Sequence, residues 1–210
     1  MYTLYYSPGA ASLVVHWVLI ELKLPHELVR LDFDKKEQKS PEYLALNPSG
    51  VVPTLLIDGK PMCEAAAIVT YLADSHPAAG LSPSPGSENR KDFYQWMFHL
   101  ANAAQPPFRA WWYPWESAGE ANIETAKDHA RLRVESVFAN IDTHLGSKGP
   151  YLLGEQLSVA DFMLVMLMRW SRGMPKTALD FPNLAKLADR LRARPSFKAL
   201  YAAEGLTEWT

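Results

Sequence analysis

Three separated segments of this chain carry groups suited to holding a small anionic, peptide-like ligand. In Tyr6-Ser-Pro-Gly-Ala-Ala-Ser12 a Pro-Gly turn leads from a strand-like stretch into a helix-like one. Ser12 therefore sits near a helix N-terminus, where unpaired N–H groups and the helix dipole favour an anion such as a thiolate. A plain N-cap role accounts for a serine at that place equally well. In Asn47-Pro-Ser-Gly-Val-Val-Pro-Thr-Leu55, Pro53 enters a strand with no N–H to give and is a candidate cis residue. It leaves the backbone of Val52 open to pair with an extended ligand laid alongside as an added strand. Glu64-Ala65 stands before a third helix-like stretch. Its carboxylate suits an amine and the first helical N–H groups suit a carboxylate, although simple dipole complementation explains a glutamate there as well.

The elements around these segments follow from periodicity. Thr3 to Tyr6 reads as a short aromatic-rich strand, and Ala11 to Leu22 as a nearly all-apolar helix that Pro25 stops. Glu27 to Phe33 alternates as a strand, and Pro41 to Leu46 suits a short helix. Thr54 to Ile57 enters an Asp58-Gly59 hairpin turn that returns through Met62 and Cys63. Ala65 to His76 is helical, which completes a small mixed α/β sheet over residues 1–76. Residues 77–87 are mostly Pro, Gly and Ser and read as a linker. Residues 88–210 show only helix-compatible stretches, near 88–104, 120–145, 158–172 and 183–203, and predict an all-α domain. Ser158-Val-Ala-Asp161 has the pattern of a capping box ahead of an apolar run.

Composition narrows the function. With 210 residues, 21 basic against 23 acidic side chains and a net charge of −2, no strong field recruits nucleic acid or an anionic membrane. The longest apolar windows fall short of a bilayer span, and the N-terminus lacks the features of a secretory signal. One cysteine, Cys63, excludes an internal disulfide and any multi-cysteine zinc site, and a reducing cytoplasm is the expected compartment. The six histidines show no i, i+4 ligand pair, so no metal is assigned. Nucleotide-binding and hydrolase signatures are absent.

The three segments, in this order and spacing, resemble the glutathione-binding half of the cytosolic glutathione transferases. The linker and the capping box match that family too. The resemblance implies an α/β thioredoxin-like N-terminal domain, an all-α C-terminal domain that shapes the electrophile pocket, a homodimer and a role in detoxification. Leu4-Tyr-Tyr-Ser-Pro-Gly-Ala-Ala-Ser-Leu13 is most similar to the bacterial beta-class pattern, but Ala11 stands where that class usually has cysteine. Mixed-disulfide chemistry at this site is thereby lost, and another donor must hold the thiolate. Ser12 is the leading candidate and Tyr6 the second. The resemblance further implies that Val52, beside Pro53, pairs with the glutathione backbone and that Glu64 with the Ala65 N–H holds its γ-glutamyl end. It places His99, Asn102 and Gln105 at the border of the active site or reaching a partner subunit's glutathione. Six of the seven tryptophans follow the linker, and Phe108-Arg-Ala-Trp-Trp-Tyr-Pro-Trp115 concentrates three of them. Phe108 and Trp112 are candidates for a flat wall against an aromatic electrophile, with core or interface packing as the alternative. Glutathione is the expected co-substrate. Isomerase, peroxidase and dehalogenase uses of the same thiolate stay open, as does a non-catalytic binding module.

Overall fold

A computed structural model describes residues 1–209; Thr210, the last residue of the expected helical domain, lies outside the described residues. The chain divides into two compact units, one of residues 1–82 with 192–208 and one of residues 83–191 with Trp209.

The first unit is built on a four-stranded sheet in the order β2-β1-β3-β4. Its strands are β1 (Tyr2–Tyr6), β2 (His26–Arg30), β3 (Thr54–Ile57) and β4 (Lys60–Cys63). β1 runs parallel to β2 and antiparallel to β3, and β3 pairs antiparallel with β4. The β1-to-β2 connection is helix α1 (Ser12–Glu21), as a parallel pair requires a crossover. Leu13, Val14, Val15, Trp17, Val18 and Leu19 are all buried, so α1 is a core helix with no solvent stripe. Helix α2 (Pro41–Leu46) starts at Ser40, whose hydroxyl accepts the Tyr43 N–H, and the β3–β4 hairpin turns through Asp58 and Gly59, both at positive φ. Helix α3 (Ala65–Ser75) follows β4 directly and buries Ile68, Val69 and Leu72. This is a thioredoxin-like arrangement.

The second unit holds α4 (Arg90–His99), α5 (Gln105–Trp112), α6 (Trp115–Ala118), α7 (Ile123–Lys148), α8 (Val159–Trp170) and α9 (Pro182–Arg192), the last residue of which falls in the first unit. The sequence predicts an uninterrupted helix through Ala104, but a π-helical turn spans Leu100–Ala104. Pro106 and Pro107, at the start of α5, have no N–H for the carbonyls one turn back, and the wider turn accommodates that loss. The stretch expected as one helix over 183–203 is likewise two, α9 and α10 (Pro195–Glu204), with Pro195 opening the second. Helix α10 packs within the first compact unit. Its apolar residues account for this: the Phe197 ring meets Trp17 of α1 at 5.1 Å, and Ser196 accepts the Trp17 indole N–H at 2.9 Å.

The capping box ahead of α8 forms. The Asp161 carboxylate accepts the Ser158 N–H at 2.9 Å and the Leu152 N–H at 2.8 Å, and it is fully buried. Burial pushes its carboxyl up to about 6, against the lowering effect of those donors. The folded chain thus binds this proton more tightly than the unfolded chain. The group's stabilising contribution is full below the unfolded value of about 4 and is lost as pH rises through about 6. A carbon-13 titration should place the Asp161 midpoint near 6, whereas a midpoint below the unfolded value would mean that the donors outweigh burial. Asp161→Ala strands two interior N–H groups and should cost about 2–4 kcal/mol in urea denaturation, against a loss under ~0.5 kcal/mol if the cap were dispensable.

Candidate active site

Strand register gathers the three segments. Thr54 lies opposite Tyr5 on one side and Cys63 on the other. Ser7–Ala11 continues from the end of β1, Val52 lies two residues before the start of β3, and Glu64 follows the end of β4. All three therefore emerge at the same edge of the sheet.

In the first segment Ser12 is fully buried. Its hydroxyl donates to the Ser7 carbonyl and accepts the Ser7 N–H, each at 3.2 Å. The hydroxyl expected to donate to a ligand thiolate thus meets the loop's own backbone at the Ser7 peptide groups. Tyr6, the second candidate, packs its ring 5.9 Å from that of His16, and its phenol has no hydrogen-bond partner among the described residues. Helix α1 opens without a side-chain cap, and the N–H groups of Ala11 and Ser12 have no partner among the described residues.

In the second segment the Val52–Pro53 bond is cis. The Val51 carbonyl accepts the Tyr43 hydroxyl at 2.6 Å and the Asn47 side-chain amide at 2.8 Å. Thr54 completes the network, with its hydroxyl 2.8 Å from that of Tyr43. Burial raises the Tyr43 pKa, which keeps the phenol a donor. In the planar trans peptide joining Val51 to Val52, a carbonyl drawn toward these donors turns the Val52 N–H the opposite way. That N–H has no partner among the described residues. The Val52 side chain is fixed in a small core with Leu31 and Tyr43.

Tyr43, and Lys39 four residues before it, were not among the residues singled out from sequence. Lys39 Nζ donates to the Ser49 carbonyl at 3.2 Å. Gly50, at φ 58°, leaves it room: a Cβ there would stand 2.7 Å from Nζ and 2.8 Å from the Gln38 carbonyl. The signal available was a lysine a short loop away from Asn47–Leu55, too common a pattern to act on.

In the third segment Glu64 is the N-cap of α3 at φ 69°, a conformation that costs energy for any residue but glycine. Its side chain makes no capping bond, is exposed, and has no partner among the described residues. The first protein-bound N–H of α3 is that of Ile68, to the Glu64 carbonyl, so those of Ala65, Ala66 and Ala67 point out of the helix end unpaired.

The remaining candidates lie in the second unit. His99 ends α4 against Trp96, Asn102 is exposed in the π turn, and Gln105 opens α5. Phe108 is corrected: it is buried between Phe138 at 5.9 Å and Trp170 at 5.8 Å and is a core residue, with no face for a ligand. Trp112 is 40% exposed, and the Arg172 guanidinium lies 5.6 Å from its ring. Among the described residues no group of three His, Cys, Asp or Glu side chains is placed to hold a metal ion, and no helix is long and apolar enough to cross a membrane.

Comparison with known proteins agrees with this arrangement. Residues 1–74 match the family model for the glutathione S-transferase N-terminal domain, and residues 105–204 match that for the C-terminal domain. Glutathione S-transferase GST-4.5 of Xanthomonas campestris is 32% identical over 207 residues, covering 97% of this chain and 98% of its own. The crystal structure of a Sulfitobacter glutathione transferase homologue with bound glutathione superposes with a TM-score of 0.89 at 29% identity, covering 99% of each chain. The bacterial beta-class enzyme of Sphingomonas chungbukensis superposes at 0.85 with 30% identity, covering 98% of this chain and 100% of that one. With the two domain models matching most of the chain and a relative 32% identical across 97% of it, the protein belongs to the glutathione S-transferase family.

Proposed function

We propose that this chain activates the thiol of glutathione and directs the thiolate at a hydrophobic electrophile. The observation that carries this is the Val52 N–H, turned outward by the double clamp on the Val51 carbonyl at the edge where α1 and α3 begin. A tripeptide laid there as an added strand pairs its cysteinyl backbone with Val52. Its γ-glutamyl carboxylate meets the open N–H groups of α3 and its ammonium meets Glu64, while Lys39 is the cation available for the glycyl carboxylate. The thiolate accepts from the Ala11 N–H group and from the uncommitted Tyr6 phenol. Fixed donors aimed at a developing anion are the strongest means of stabilising it in a site closed to water.

For the electrophile, exposed Trp112 is the proposed aromatic contact, with His99, Asn102 and Gln105 as polar candidates. Homodimerisation is supported by Tyr94 and Phe98, exposed one turn apart on α4, with Phe98 64% accessible. A cytoplasmic, detoxifying role is consistent with a single thiol and an electrophile-directed reaction.

The test is conjugation of glutathione to chlorodinitrobenzene. Turnover should require glutathione and not be supported by free cysteine at equal concentration, and equal rates with both would refute specific recognition. Glu64→Gln should raise KM for glutathione about tenfold with kcat nearly unchanged, as expected for loss of one charge-assisted contact; an unchanged KM would remove Glu64 from the site. Tyr6→Phe should raise the pKa of the bound thiol by about one unit at unaltered glutathione affinity. No change would leave the stabilisation to the main chain alone.

A further inference from the structure

Helix α1 is apolar through its buried length except at Ser12 and His16, which lie one turn apart on the same face. Both act on the loop that precedes the helix. Ser12 brackets the Ser7 peptide groups at the loop's root. His16 Nδ1 lies 2.9 Å from Glu204 Oε1, and Glu204 Oε2 accepts the Gly9 N–H at 2.8 Å. Glu204 is the last residue of α10, and its side chain and that of His16 are essentially inaccessible. A carboxylate is costly there twice over: it is buried, and it sits at the helix end where the dipole disfavours an acid. An apolar residue would pack α10 on α1 without either cost. What the carboxylate supplies instead is a fixed acceptor for Gly9, the residue at positive φ through which the chain turns toward Ala11.

We infer that Glu204 is a positioning residue for thiol activation: by holding the Gly9 N–H, with His16 orienting its carboxylate, it fixes the loop that delivers the Ala11 N–H group to the thiolate. This rests on glutathione being the ligand of the neighbouring site. It assigns a role in the reaction to the C-terminal helix, a segment distant in sequence from every residue that touches the ligand. Because Val52 and Glu64 grip glutathione independently of this loop, loss of the tether affects the sulfur end and spares the rest.

Two full-length variants test it. Glu204→Leu fills the same space without an acceptor, and Glu204→Gln keeps one oxygen for Gly9 and an amide for His16. With no ligand present, the Gly9 amide should exchange with solvent at least about tenfold faster in the leucine variant and near the wild-type rate in the glutamine variant. With glutathione, Glu204→Leu should lower kcat about tenfold while moving KM for glutathione less than about threefold, and Glu204→Gln should restore most of kcat. A folded leucine variant with wild-type Gly9 exchange or wild-type kcat overturns the inference. So does a fall in affinity and turnover together that glutamine does not rescue, which would mark a general packing role. Should the leucine variant not fold, Glu204→Asp, which withdraws the carboxylate by one methylene, is read by the same criteria. If wild-type protein fails to bind glutathione, the ligand assignment fails and the role in thiol activation falls with it, whereas Gly9 exchange in the unliganded protein still distinguishes a broken tether from an intact one.

Discussion

The site depends on the pairing of Thr54 with Tyr5 on one side and Cys63 on the other. Three segments separated by some forty and ten residues supply the groups at this edge, and only this register brings their ends together. A slip of one residue along β3 would exchange its two faces. Thr54 would leave the network with Tyr43 and Asn47, and the Val51 carbonyl would lose its clamp. The pairing therefore sets both where Val52 stands and which way its N–H points. Tyr43 reinforces it from α2, since one phenol joins a strand residue to the loop that precedes the strand.

Around that edge the protein presents main-chain groups more than side chains. Among the described residues the N–H groups of Val52, of the first turn of α3 and of Ala11 lack protein partners, and Val52 is held by packing against Leu31 and Tyr43. Main-chain donors have no rotamers to lose and do not titrate, so a site made from them is pre-organised at every pH at which the fold persists. Glu64, at positive φ, adopts a backbone conformation costly for a non-glycine residue at the point where its carboxylate and the α3 N–H groups stand side by side.

Much of this is legible in the residues. Asp58-Gly59 announces the hairpin, Ser158 and Asp161 announce the helix start, and the Pro53 loop with the Ser7-Pro8-Gly9 turn marks the binding edge. What is not legible is where a hydroxyl spends its proton. Ser12 occupies the expected position but faces backward onto Ser7, and nothing in a linear sequence distinguishes a serine that offers its hydrogen to a ligand from one that ties a loop. Phe108 fails for a similar reason: an aromatic cluster does not reveal which members are covered, and Phe138, thirty residues on, covers this one. The break at Pro195 was readable as a helix start, yet the attachment of α10 to α1 depends on Trp17 and Ser196 meeting across most of the chain. Glu204 belongs to the same class of hidden contact.

The central claim is that donors fixed at this edge hold a bound thiol as its anion. The most direct measurement is an ultraviolet difference titration of glutathione bound to the wild-type protein, following thiolate absorbance against pH. The midpoint should lie at least about 1.5 units below the value near 8.5 of an unperturbed cysteine thiol. Glutathione that binds but titrates as it does in free solution would contradict the account, because the donors would then be placed for recognition and not for activation.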